Sequence, residues 1–452
     1  MRHTLYFLTL LWSTQAVASL DPFGTDLMQP PPCAPQSLDQ PLTLPEVVDL
    51  ALCNNPQTHE LWANSRVYAA QVGVGKAAYL PHAGLDAAAS RNWTGTAPGT
   101  DQNSVSLNLS YLLYDFGARS ANLEAAQQLL AAANASRDST VQALFLATIQ
   151  TYYQVQAAIA LLDAALESER AAQESFASAE ARYHAGSATP ADKLQAQTAY
   201  SQATLNRITA EGSLKNAQGN LANVLGLDAN RTVPLVPADT NNIPARFDGD
   251  IAALIDEARR RRPDLQAAAA QFKAAEAGAA AVRAADRPTI SFGASTGHYD
   301  TGGIATRNSS IGVTLNVPIF TGYAPTYRIR AAEAQAEASA MKMERLRLQV
   351  ALEVWTAYQN LITATQSLRT TADLLDSAEQ SGRVALGRYK AGVGSMLDVL
   401  NAQSALASAR QQRIQSSFNW NISRAILAQS MGNLDADLLQ TLSPNPQEAP
   451  MP

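Results

Sequence analysis

The pentapeptide Arg182-Tyr183-His184-Ala185-Gly186 returns 206 residues later as Arg388-Tyr389-Lys390-Ala391-Gly392. The same spacing pairs Asp192 with Asp398, Leu194 with Leu400, Ala196-Gln197 with Ala402-Gln403 and Gly226 with Gly432. Upstream the spacing is 207, joining Ala51 to Ala258, Pro56 to Pro263 and Pro81 to Pro288. Self-similarity sustained over so long a period means that the chain builds one unit twice.

Each copy reads as helix, two strands, long helix, turn, helix. The first repeat is expected over 46–227, with helix 46–80, hairpin 82–115, long helix 118–185 and helix 190–227. The second covers 250–434, with helix 250–286, hairpin 288–320, long helix 325–391 and helix 395–434. A linker over 228–249 joins them, and a Pro-rich tail follows over 435–452. In the first hairpin Val105, Leu107, Leu109, Tyr111 and Leu113 alternate with Ser104, Ser106, Asn108, Ser110 and Leu112; in the second, Ile311, Val313, Leu315, Val317 and Ile319 alternate with Gly312, Thr314, Asn316 and Pro318. A period of two gives one apolar and one polar face.

A soluble sandwich strand alternates in the same way, so the surroundings must decide. Each hairpin lies between long helical segments with no further strands to form a second sheet. The polar face carries small hydrophilic residues, the pattern expected when the other face meets lipid and this one a water-filled lumen. Strands of roughly 11 residues tilted by about 45° cross the hydrocarbon layer. Tyr111, Tyr114, Phe116, Phe320 and Tyr323 gather at one end and Trp93 and Tyr299 towards the other, as interfacial girdles would. The turns Thr96-Ala97-Pro98-Gly99-Thr100-Asp101 and Asp300-Thr301-Gly302-Gly303 then form the outer tips.

Four strands cannot close a membrane barrel, because open edges in lipid leave backbone groups unpaired at several kcal/mol each. The barrel is therefore shared between chains, two giving eight strands and three giving twelve. The long helices support a shared assembly. From Ala118 to Ala185 there is neither Gly nor Pro, and at about 1.5 Å per residue the run extends on the order of 100 Å. Val141, Leu144, Thr148, Tyr152, Val155, Ala158 and Leu162 follow spacings of three and four, the stripe of a coiled-coil wall, and Ala at many other positions lets neighbours approach closely.

Composition narrows the setting. Arg2 and His3, an apolar run from Leu5 to Trp12 and then Ala16-Val17-Ala18 read as a signal peptide over 1–18, followed by an extended segment over 19–45. No later apolar segment approaches the roughly 20 residues of a membrane-spanning helix, although 46% of residues are hydrophobic. A net charge of -6 and the absence of a long basic run give nucleic-acid binding no support. Arg259 to Arg262 read as a solvated helix end. In an oxidising compartment Cys33 and Cys53 are expected to form a disulfide tying the Pro-rich segment to the following helix. No nucleophile, base or ligand set converges, so the chain reads as no enzyme and needs no cofactor or metal. Gly73-Val74-Gly75-Lys76 lacks the earlier Gly and the following Ser or Thr of a phosphate loop and reads as helix surface.

The repeated unit, the Leu80-Pro81 end of the first helix and the paired Arg-Tyr-x-Ala-Gly turns resemble the TolC family of outer-membrane factors over roughly residues 40 to 435. The resemblance implies a mainly α fold with transmembrane β: a homotrimer in the outer-membrane lipid, with a shared 12-stranded barrel and a periplasmic tunnel of antiparallel coiled-coil helices. It implies partners too, a periplasmic adaptor and an inner-membrane transporter, ATP-driven or proton-driven, in drug efflux or type I protein secretion. The Pro-rich segment with Cys33 and Cys53 looks like secretion-type members. Arg182, Tyr183, Gly186, Arg388 and Gly392 then mark the tips that dock the adaptor. Two Asp that line the constriction in relatives correspond to Asp398 and Asn401, leaving one carboxylate ring. A latch of Tyr, Asp and Arg corresponds to Tyr389, Asp192 and Gly394, so its Arg is absent, with Lys193 a substitute donor. Three Asp398 carboxylates around a pore are expected to favour cations and to raise the pKa of at least one of them. The competing reading makes Asp398 a cap of the returning helix.

Overall fold

The computed structural model describes residues 21–25, 40–95, 98–237 and 250–434. The expected signal peptide, the C-terminal tail, Cys33, Thr96-Ala97 and most of the linker lie outside them. The elements in chain order are α1 (Leu44–Asn54), α2 (Pro56–Ala77), β1 (His82–Asn92), β2 (Thr100–Tyr114), α3 (Ala118–His184), α4 (Pro190–Val224), α5 (Ile251–Arg261), α6 (Pro263–Ala285), β3 (Thr289–Thr301), β4 (Ile304–Asn316), α7 (Ala324–Lys390) and α8 (Met396–Ser430). The duplication extends to length: α3 and α7 have 67 residues each, α4 and α8 35 each.

Where one helix is expected over 46–80 and again over 250–286, the structure has two. The breaks fall at Asn55 and Arg262, each followed by proline. Proline sterically drives the residue before it out of the helical region, and both cap residues are extended, with ψ 124° and 121°. A glycine abuts each break. Gly226 and Gly432 adopt φ +70° and +72°, and a Cβ on either would lie 2.6 Å from the Asn54 carbonyl oxygen or 3.0 Å from the Arg262 nitrogen. Arg262 itself corrects the solvated reading of the arginine run: its side chain is buried and paired with Glu353.

The chain divides into two compact units. Among the described residues, one comprises 21–25, 61–95, 98–137 and 264–346, and holds a single antiparallel sheet in the order β1-β2-β3-β4. Leu85 faces Leu107, Leu109 faces Ala294, and Ala294 faces Ile311, so the apolar positions fall on one face. That face is uncovered in the single chain, with Leu107 50%, Ile311 77% and Val313 63% exposed. Gly302 and Gly303, both at positive φ, make the two-residue β3–β4 turn. This is the conformation such a hairpin demands, and the Asp300 carboxylate accepts from the Gly303 N–H at 3.0 Å.

Tyr114 packs edge-on to Phe116 and Phe320 to Tyr323, one exposed aromatic pair at each strand-to-helix junction. Tyr299 departs from its expected girdle role. Register places it opposite Ser104 on the polar face, where its ring covers Gly297, which has no side chain to obstruct it. At the first junction Asp115 is buried. It accepts from the Arg119 N–H at 2.8 Å and pairs with its guanidinium at 3.1 Å. Arg119 in turn donates to the Leu112 carbonyl at 2.7 Å and lies 4.9 Å over the Tyr79 ring. The glycine-lysine run is helical, within α2, but it is partly covered rather than open surface: Gly73 lies against Thr25, Lys76 over Phe23, and a Cβ on Gly75 would meet the Leu123 side chain at 3.1 Å.

The other unit comprises, among the described residues, 40–60, 138–237, 250–263 and 347–434. Its main core joins Val47 and Val48 of α1, Ile149, Tyr153 and Val155 of α3, Leu221 and Leu225 at the end of α4, and Phe418 and Ala425 of α8. Of the expected α3 stripe, Leu144, Thr148, Tyr152, Val155 and Ala158 are buried, while Val141 and Leu162 are half-buried. Buried helical threonines satisfy their hydroxyls on the preceding turn: Thr148 donates to the Leu144 carbonyl and Thr365 to the Leu361 carbonyl, both at 2.8 Å. Leu42 and Leu235 form a parallel bridge beside this core. Cys53 is disulfide-bonded.

Candidate functional site at the helix-pair turns

Both long helices stop in the same way. Gly186 and Gly392 take φ +74° and +76°, the left-handed conformation that ends a helix at little cost only for glycine. The Ser187 N–H then donates to the Arg182 carbonyl and the Gly186 N–H to the Tyr183 carbonyl; Val393 and Gly392 repeat these bonds on Arg388 and Tyr389. The Arg-Tyr-x-Ala-Gly repeat thus encodes two Schellman closures.

The returning helices also start alike, in capping boxes. The Thr189 Oγ1 accepts from the Asp192 N–H at 3.2 Å while the Asp192 carboxylate accepts from the Thr189 N–H at 3.0 Å. Ser395 and Asp398 exchange the same pair of bonds at 3.1 and 3.2 Å. Thr-x-x-Asp and Ser-x-x-Asp carry this signal in sequence. Asp398 is exposed, and the Ser395 hydroxyl and N–H, followed by the charge of Arg388, hold its carboxyl below the usual aspartate range. Within one chain the direction is therefore opposite to the rise expected of a repelling ring. Asn401 follows one helical turn later, exposed and on the same face.

The structure brings Tyr389 together with Arg182, a residue expected at the docking tip, and within one chain gives it no bond to the expected latch partners Asp192 and Lys193. The Arg182 guanidinium lies 4.3 Å over the Tyr389 ring and donates to the Lys390 carbonyl at 3.3 Å. Tyr389 is buried with Ala179, Ala196, Met396 and Val399. Its hydroxyl has no hydrogen-bond partner among the described residues, while Asp192 is engaged by Thr189. Lys193, the expected substitute donor, instead pairs with Glu180 at 2.9 Å and lies 5.6 Å over the Tyr183 ring. At Gly394, where the relatives' arginine is absent, a Cβ would meet the Arg388 Cβ at 3.0 Å and the Tyr389 nitrogen at 3.1 Å, so any side chain there needs the turn to give by a few tenths of an ångström.

A buried hydroxyl without a partner costs about 1–3 kcal/mol. Tyr389→Phe is therefore expected to hold or raise thermal stability, readable by thermal unfolding of the purified protein. A loss of stability would show that the hydroxyl has a bonding role.

Pairing across the two turns went unread in the sequence, because Met396 and Val399 give no motif and their neighbours Ala179 and Ala196 lie some 200 positions away.

Comparison with known proteins agrees with this architecture. The outer membrane efflux protein family matches residues 47–227 and 254–433, one match to each repeat. The chain is 34% identical to Protein CyaE of Bordetella pertussis over 396 residues, covering 85% of this chain and 82% of that protein. It is 24% identical to Outer membrane protein TolC of Escherichia coli over 422 residues, covering 89% and 85%. The fold matches the CmeC outer membrane channel of Campylobacter jejuni with a TM-score of 0.78 at 19% identity, over 86% of each chain. With a family match on both repeats and a relative above 30% identity along most of its length, the chain belongs to the outer membrane efflux protein family, the channel proteins of the outer membrane.

Proposed function

We propose that three copies of this chain form a passive exit duct, pooling twelve strands in the outer membrane and lining a periplasmic passage with their helices. The observation that carries the reading is the sheet. Its outer strands β1 and β4 each have one edge unpaired among the described residues, and one face carries an exposed apolar band that includes Leu107, Ile311 and Val313. Such edges are costly in lipid unless another chain pairs with them. An inner-membrane transporter supplies the energy and a periplasmic adaptor grips the turns around Gly186 and Gly392, while the duct carries out no chemistry of its own.

Type I protein secretion, including export of toxins, is the favoured substrate class. The disulfide at Cys53 supports it, because a disulfide-tied Pro-rich N-terminal segment is the feature by which the sequence resembles secretion-type members. The pairing partner we propose is Cys33. Small-molecule efflux is the second reading, favoured by the family's own description. Neighbouring genes separate the two: an ATP-driven transporter with a repeat toxin means secretion, a proton-driven pump means efflux.

Purified protein in a planar bilayer is expected to give large, stepwise conductance, with a trimer mass by native mass spectrometry. A barrel-anchored coiled-coil scaffold, the remaining alternative, would give the trimer without an aqueous pore.

A further inference from the structure

The two turns are built from the same motif, yet equivalent residues have different surroundings in the single chain. Tyr389 is 6% exposed, whereas its counterpart Tyr183 is 38% exposed. Leu400 packs into the small core around Tyr389, whereas Leu194 is 60% exposed. What covers the second copy of the motif is the first: Arg182 lies on the Tyr389 ring, and Gln403 donates to the Ser175 hydroxyl at 2.9 Å. Shifting each partner by the 206-residue repeat interval turns these pairs into Arg388 with Tyr183 and Gln197 with Ser381, and all four of these residues are exposed.

We infer that this surface is the seam between neighbouring chains, with Arg388 stacked on the partner's Tyr183 and Ser381 hydrogen-bonded to the partner's Gln197. A ring of identical chains joins unlike faces head to tail. Because each chain carries two like units, the face of its first unit left open is the one that accepts the second unit of its neighbour. Residue identity supports the match: at the shifted positions arginine again meets tyrosine, and glutamine again meets serine. The two kinds of seam still differ. Pro190 and Lys193 stand where the seam inside the chain has Met396 and Val399, so the seam between chains is the more polar and the weaker of the two.

The inference rests on the trimeric duct proposed above, and cross-linking separates the two. The chain's two cysteines leave no free thiol among the described residues, so introduced pairs react alone with a short bis-maleimide. Gln197→Cys with Ser381→Cys is expected to give bands at two and three times the chain mass on a denaturing gel. Ser175→Cys with Gln403→Cys is expected to link within one chain and stay at a single mass. If the first pair also stays at a single mass while native mass spectrometry still reports trimers, the seam is wrong and the duct stands. If no trimer forms in unmodified protein, both fall.

Discussion

Asp115→Ala is expected to destabilise the protein by about 3–5 kcal/mol, the cost of removing one member of a buried ion pair. Both side chains are nearly closed off, at 9% exposure for Asp115 and 13% for Arg119. Alanine would leave the Arg119 guanidinium beside Tyr79 and the Leu112 carbonyl with no carboxylate to balance it. It would also free the N–H groups of Gly117 and Arg119, which the carboxylate caps where the strand gives way to α3. Thermal unfolding followed by helical circular dichroism reads the loss. Asp115→Asn keeps an acceptor for the caps and should lose less; a drop below about 1 kcal/mol for alanine would place this junction among solvated surface pairs.

The second large effect concerns Asp398. In the proposed trimer its three carboxylates would form the acidic ring that the family resemblance implies, and on that reading Asp398→Ala is expected to reduce preference for cations several-fold in single-channel recording. Asp398 also caps α8, so a change of selectivity alone must be separated from a loosened turn. Ser395→Ala removes the hydroxyl half of the box and keeps the charge. If Ser395→Ala alters selectivity as much as Asp398→Ala, the carboxylate acts as a cap and the ring reading fails. The sign of the pH dependence follows from the lowered carboxyl pKa. The cap's contribution is complete above the ordinary aspartate pKa, about 3.9, and is lost as pH falls through the lower folded value. Three carboxylates brought together in a ring repel and raise one another's pKa, so on the ring reading cation preference is expected to fade at a higher pH than the cap's contribution.

Much of this is legible in the sequence. The four strands, their alternating faces and the long helices follow from periods of two and of three to four, and the sheet face carrying Leu107 and Ile311 is the one the alternation selects. The helix breaks at Asn55 and Arg262 were legible too, since proline follows each, although a helical pattern on either side masked them. Burial of Arg262 was not: three neighbouring arginines suggest a solvated end, and only the approach of Glu353, 91 positions on, withdraws one of them. Tyr299 shows a different limit. Aromatic residues near a hairpin tip suggest a girdle, but the face a residue takes depends on register to the residue, and one step moves it across the sheet. At the turns, the capping boxes were encoded locally in Ser395-x-x-Asp398 and Thr189-x-x-Asp192. Lys193 found Glu180 through helix packing that no short motif records.

Matched helix lengths act as a gauge on how this protein can change. Within the unit that holds both turns, Arg182 meets the Tyr389 ring at the ends of two helices, α3 and α7, of equal length. Removing seven residues from one helix would set its turn back by about 10 Å, far beyond a ring contact. Removing seven from both, with matching cuts in α4 and α8, keeps the ends level. Insertions and deletions in these walls should therefore be tolerated in concert across the two copies and punished singly. The duplication that builds the chain also fixes the unit in which it can be shortened.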